Sequence, residues 1–175
     1  VAVSRVGDDA LGTEVLEVLR QRGLSTEYMQ IDAGHATGVV EVSVDDSGVP
    51  EYTIREHGAW DYLEWSKKMA ELAAKADAVC WGSLAQRSRA TQESILHFVR
   101  AAGPECVRVF DVNLRQHYYE PGMIGDSLGQ ADIVKLNEDE LPRVAKMLEL
   151  GAGEAAMETM IERFNVQMVC VTRGP

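Results

Sequence analysis

Three short stretches end in polar side chains whose types suit an anion. "CVRVFDVNLR" closes on Asp111, Asn113 and Arg115, "DIVKLNEDE" on Asn137 and Glu140, and "MVCVTRGP" on Thr172, Arg173 and Gly174. A guanidinium pairs in fork geometry with phosphate oxygens, and backbone N–H groups beside a glycine can approach an anion closely. Each group also has a plainer explanation. Asn137 and Glu140 have the N-cap and N3 spacing of a reciprocal capping box, worth about 1 kcal/mol to the following helix. Asp111 with Arg115 could form an ion pair or an Asx turn at a strand exit, and Thr172 and Gly174 are ordinary turn residues. What favours a polyphosphate site is their joint occurrence, each directly after an apolar run of strand character.

These side chains must be carried by strands that run in one direction. The chain opens on the strand-like "VAVSRVG", followed by a helical pattern from about Ala10 to Arg22, with Leu11, Val15, Val18 and Leu19 on one face and Gly23 as its stop. From Thr37 to Glu56 the texture changes to alternation on both sides of Asp46-Ser47-Gly48, which reads as a β-hairpin with one exposed face. A helix from about Tyr62 to Lys75 precedes the strand "DAVCWGSL", and a second from Arg89 to Ala102 ends at Gly103-Pro104. After "CVRVFDVN" come a polar loop, a short helix near Pro121 to Gln130, the strand "DIVKL", helices across Glu138 to Glu149 and Glu154 to Phe164, and the strand "VQMVCVT". Near-continuous apolar strands alternating with amphipathic helices predict an α/β fold with a mainly parallel sheet covered on both faces. Residues 1–36 and 57–175 form its core and residues 37–56 an antiparallel insertion. Both ends fall on interior elements, so the sequence reads as an internal piece of a longer polypeptide.

Composition bounds the partners. With 175 residues, 46% hydrophobic and 26% charged, the chain is globular, and a formal net charge of −11 with no basic stripe argues against nucleic acid. Cys80, Cys106 and Cys170 each sit in apolar strand-like runs, outside any CxxC pair, and pack as small hydrophobes. An odd cysteine count without a leader fits a reducing cytoplasm. No apolar run is long enough to cross a bilayer, so no membrane partner is expected.

Taken in order, "VGDDALG" (Val6 to Gly12), "TGVVEVSVDDSG" (Thr37 to Gly48), "HGAWD" (His57 to Asp61), "FDVNLR" (Phe110 to Arg115), "KLNEDEL" (Lys135 to Leu141) and "VTRGP" (Val171 to Pro175) resemble successive signatures of the ribokinase-like sugar kinases, the PfkB carbohydrate kinases. The resemblance spans nearly the whole chain. It implies a three-layer α/β/α sandwich with the hairpin as a β lid over the sugar, ATP and Mg²⁺ as cosubstrates, and phosphorylation of a sugar hydroxyl. Carried over by position, it implies that Asn137 touches nucleotide phosphates and that Glu140 orients the water shell of the metal. Thr172 and Gly174 would line the phosphate loop. Asn113 and Arg115 would lie near the transferring phosphate, with Arg115 neutralising its charge in the reaction and facing the substrate. Arg55 on the lid could reach a sugar hydroxyl or a sugar-acid carboxylate, or could be solvated. Trp60 and Trp81 could shape the sugar pocket, although core packing accounts for both.

"GSLAQR" (Gly82 to Arg87) resembles the fructokinase-like branch. The family's early Gly-Gly segment and its Gly-Ala-Gly-Asp motif, source of the catalytic base, have no counterpart here; "IGDS" (Ile124 to Ser127) lacks the surrounding glycines. The 175-residue chain alone is therefore not expected to turn over. An enzyme of the same family acting on 2-keto-3-deoxygluconate is the competing substrate reading, and a non-catalytic α/β interaction module, in which Asn137 and Glu140 only cap a helix, is the competing class. The valines Val40, Val42 and Val44 leave one apolar side of the hairpin to cover, so the lid could also pair two copies into a homodimer.

Overall fold

The computed structural model describes residues 1–44, 48 and 50–174, which fall into two compact units, Val1–Glu64 and Trp65–Pro175. In the first unit, strand β1 (Ser4–Gly7) runs parallel to β2 (Met29–Asp32), with Gly7 opposite Asp32. The sequence reading has no counterpart to β2, because "MQID" is too short to show periodicity, and it starts β1 three residues early. Helix α1 (Ala10–Gln21) begins where Asp9 accepts the Gly12 amide at 2.7 Å and stops at Gly23, which takes a left-handed φ of +72°. Its predicted apolar stripe stays largely open: Leu11, Val15 and Val18 are exposed.

Strands β3 (Val40–Val44) and β4 (Pro50–Ile54) form the expected antiparallel hairpin, in register from Val40 opposite Ile54 to Val44 opposite Pro50. Asp46 and Ser47 of the predicted turn lie outside the described residues; Gly48 has a φ of +80°. Every residue of the two strands except Ile54 is exposed, so more than one face of the hairpin meets solvent.

The second unit is a sheet of four strands in the order β5 (Ala78–Gly82), β6 (Val107–Asp111), β7 (Ile133–Asn137), β8 (Met168–Thr172), all parallel. Its helices are α2 (Lys67–Ala73), α3 (Arg89–Ala101), α4 (Pro121–Leu128), α5 (Glu140–Leu148) and α6 (Glu154–Phe164). Helix α2 starts five residues later than the sequence suggested. Ala59–Tyr62 form a 3-10 turn instead, and Ser66 accepts the Met69 amide at 3.2 Å as the true N-cap.

Strands in sequential order joined by right-handed crossovers place their connecting helices on one face. Accordingly Trp81, Phe110, Val134 and Leu136 form one core with Ile95 and Val99 of α3, Ile124 and Leu128 of α4, Val144 of α5 and Met160 of α6. Alternate strand residues such as Cys80, Val107 and Met168 are exposed. Since all four strands point the same way, their carboxyl ends share one edge of the sheet. No helix among the described residues is long and apolar enough to cross a membrane.

Candidate functional site

That edge is laced by hydrogen bonds between segments distant in sequence. At the exit of β6, Asp111 lies opposite Gly82 and Lys135 in register and pairs with the Lys135 ammonium at 3.1 Å. Its ionic partner is therefore Lys135, whereas the sequence had suggested Arg115. Val112 continues the strand by donating to the Lys135 carbonyl at 2.9 Å and is fully buried. The chain then turns at Asn113, whose φ of +39° is a left-handed conformation that L residues disfavour. The Asn113 carbonyl accepts the Ser83 hydroxyl at 3.2 Å, and Ser83, directly after β5, is completely buried. Leu114 donates its amide to Glu140 Oε1 at 2.8 Å, and Arg115 emerges exposed.

At the exit of β7 the expected reciprocal bonds are present. Helix α5 begins only at Glu140 with Asp139 as its N-cap, so they close the turn leading into the helix, where the spacing predicts N-cap and N3 positions. Asn137 Oδ1 accepts the Asp139 and Glu140 amides at 3.0 and 2.8 Å, while Glu140 Oε2 accepts the Asn137 amide at 2.8 Å. Glu140 is only 5% exposed, with both carboxylate oxygens taken by backbone N–H groups. Asn137 lies opposite Thr172 in the sheet register, and the Glu138 amide donates to the Thr172 carbonyl at 3.1 Å. The Thr172 hydroxyl reaches the Leu136 carbonyl only at 3.5 Å, and the Gly174 amide meets Glu138 Oε1 at 3.3 Å. Asn113, Arg115, Asn137, Glu140, Thr172 and Gly174 thus belong to one continuous rim.

The sequence reading missed three rim groups. Ser83 is one. Gln86 donates to the Gly82 carbonyl at 3.1 Å and to the Ser127 hydroxyl at 2.9 Å, and Arg87 stacks over the Tyr118 ring at 4.7 Å. All three lie in "GSLAQR", but nothing in that string reveals partners thirty or more positions away. Trp81 is core: its ring stacks on Phe110 with centroids 5.6 Å apart and its Nε1 donates to Ser127 at 3.3 Å.

A magnesium ion usually keeps several waters and takes one or two carboxylates plus phosphate oxygens. Among the described residues no group of three His, Cys, Asp or Glu side chains could hold a metal directly. Glu140 fits only an outer role, since a hydrated ion could use nothing but the second lone pairs of oxygens already engaged. The Cys80 thiol, on the exposed side of the sheet, is raised above its ordinary range by partial desolvation from its neighbours and secondarily by the Asp111 carboxylate.

The first unit has its own polar knots. Asp9 receives the Thr37 amide at 2.8 Å, its hydroxyl at 2.7 Å and the Gly12 amide, donors that lower its pKa, and Thr37 Oγ1 in turn accepts the Gly7 amide at 2.9 Å. "VGDDALG" and the base of the hairpin are therefore one structure. A Cβ on Gly38 would fall 2.1 Å from the Trp60 indole nitrogen, so only glycine lets that ring lie across the hairpin base. Burial works against ionisation of Asp32, but the Gly34 amide, the His35 ring and Arg5 outweigh it and hold the carboxyl at about 2. Arg55, expected either to reach a sugar or to be solvated, is exposed and pairs with Glu41 across the hairpin, its Nε at 2.6 Å.

The family described as "pfkB family carbohydrate kinase" matches residues 1–175. Among curated proteins, the fructokinase of Salmonella typhimurium is 28% identical over 98% of this chain and 57% of its own length, and that of Vibrio alginolyticus 29% identical over 97% and 56%. The chain thus spans about half the length of the curated relatives it matches. A solved structure, the fructokinase from Xylella fastidiosa with bound ATP, superposes with a TM-score of 0.81 at 20% identity, covering 97% of this chain and 54% of that one.

Proposed function

The chain belongs to the pfkB family of carbohydrate kinases, and on that premise we propose that it is part of an ATP-dependent, fructokinase-like enzyme that phosphorylates a sugar hydroxyl. The observation that carries this reading is the continuous rim along the carboxyl edge of β5–β8, where Asn113, Asn137 and Thr172 stand at neighbouring strand exits. The exposed Arg115 guanidinium supplies positive charge for the equatorial oxygens of a transferring phosphoryl group. Thr172 and the Gly174 amide have only long protein partners, so an anion can replace these with shorter bonds. Bound with the nucleotide, magnesium would neutralise developing charge. The family resemblance gives Glu140 the ordering of that ion's water shell, but with both carboxylate oxygens engaged by backbone amides it has only their second lone pairs to offer.

Proton removal from the sugar needs a carboxylate free to accept it. Asp111 is paired with Lys135 and Glu140 with two backbone amides, so neither rim carboxylate fills that role. The hairpin β3–β4 would act as the lid that excludes water during transfer, and its exposed valines give it a surface on which a second copy can pair. Arg55 bonded to Glu41 favours a neutral sugar over a sugar acid.

Calorimetric titration of MgATP into the chain tests the proposal. Saturable binding that weakens about tenfold in Arg115→Ala, the loss expected for a charge-assisted hydrogen bond, supports it. A folded chain that takes up no MgATP would leave the interaction-module reading, in which the Asn137–Glu140 box is purely structural.

A further inference from the structure

We propose that Glu140 and Ser83 are positioning residues whose joint task is to fix the left-handed turn at Asn113, so that the turn and Arg115 after it are presented to the nucleotide in one geometry. The inference rests on the kinase reading above. It departs from the outer-sphere metal role that the family resemblance implies for Glu140, because the carboxylate is not turned outward. Glu140 is 5% exposed and each of its oxygens accepts a backbone amide at 2.8 Å, one from Asn137 at the exit of β7 and one from Leu114 at the exit of β6. It is a staple between two strand ends that the sheet ladder no longer joins.

The segment it holds needs holding. Asn113 has a φ of +39°, a left-handed conformation that asparagine tolerates better than other L residues but that does not by itself hold the following Leu114 and Arg115 in one direction. Leu114 is 8% exposed, so its amide requires a protein acceptor, and Glu140 supplies one. On the other side the Ser83 hydroxyl, itself fully buried, donates to the Asn113 carbonyl at 3.2 Å. The turn is thereby fastened to the exits of both β5 and β7. Placing a carboxylate beside a site for a polyphosphate would repel the ligand if its charge were open. Saturated by two N–H donors and withdrawn from solvent, Glu140 organises the site with little of that penalty.

The test uses the full 175-residue chain, wild type, Glu140→Gln and Ser83→Ala, with two readouts. The first is amide hydrogen exchange at Leu114 and Asn137. A glutamine has one acceptor oxygen in place of two, so at least one of these amides should exchange about tenfold faster in Glu140→Gln. The second is ATP affinity in EDTA, without any metal: it should fall roughly tenfold in Glu140→Gln and fall in the same direction in Ser83→Ala, which carries no conceivable metal ligand. Unchanged exchange at both amides would overturn the proposal, and so would a Glu140→Gln defect seen only when magnesium is present. Should Glu140→Gln fail to fold, Ser83→Ala decides, with unaltered metal-free affinity counting against the clamp. Failure of the wild-type chain to bind ATP would remove the kinase reading itself, and the exchange readout separates that result from the state of the clamp.

Discussion

The Leu114 amide donates to the Glu140 carboxylate at 2.8 Å, a buried bond between residues 26 positions apart. It ties the exit of β6 to the start of α5 and makes two polar strand ends a single surface. The same carboxylate accepts the Asn137 amide, so helix capping and site assembly use one side chain. The capping and ligand readings of Asn137 and Glu140 are therefore compatible, and they separate only through ligand binding.

Asn137→Ala removes the acceptor for the Asp139 and Glu140 amides. It should cost about 1 kcal/mol, as N-cap losses do. For a chain of this size that lowers the melting temperature by about 2–4 °C. Thermal unfolding followed by circular dichroism checks this, and an unaltered transition would show that the cap is not felt.

Asp32 provides a pH signature for the first unit. Its carboxyl is held at about 2 in the folded chain, below an ordinary value of 3.8, so its ionised form favours the folded state. That contribution is complete above the ordinary value and is lost as pH falls through the folded one. Denaturant unfolding should show stability dropping between about pH 4 and pH 2, and Asp32→Asn should flatten that part of the profile. An identical slope in the variant would contradict the assignment.

Two glycines predict opposite signs for one substitution. Gly12 lies in α1, where a Cβ would come 2.1 Å from the Gly7 carbonyl oxygen, so Gly12→Ala should destabilise by about 1–3 kcal/mol despite the better helix propensity of alanine. Gly125 lies in α4 with nothing within 4 Å of its Cβ position, so Gly125→Ala should stabilise by about 0.5–1 kcal/mol. Equilibrium denaturation of both variants measures the pair.

The β3–β4 hairpin exposes Val42, Val44 and Tyr52 at 55%, 65% and 56%. Val42 and Tyr52 face each other in the register, so these groups share one side. Light scattering at micromolar concentration should give a dimer mass that falls to a monomer in Val42→Lys. A monomer for the wild type would remove the hairpin as a self-association surface.

How much of this was legible depended on the range of the interaction. Strands β5 to β8 and helices α3 to α6 could be read because each buries a near-continuous or periodic apolar face set by neighbouring residues. The Asn137–Glu140 box was legible for the same reason, since both partners lie within one turn. The Glu140–Leu114 staple, the Asp111–Lys135 pair and the Ser83 contact to Asn113 were not, because each is fixed by strand register. β2 was invisible because four residues cannot display a period, and the Arg55–Glu41 pair was hidden because its partners sit on opposite strands of the hairpin.

In the proposed enzyme the exits of β6, β7 and β8 bind one nucleotide together. The most direct measurement is an NMR titration of the labelled chain with MgATP, following backbone amides along the carboxyl edge of the sheet. Asn113, Arg115, Asn137, Thr172 and Gly174 should shift together along one saturation curve, with amides at the opposite end, such as Asp132 and Gln167, unmoved. Saturable shifts confined to a single strand exit, or centred away from this edge, would contradict it.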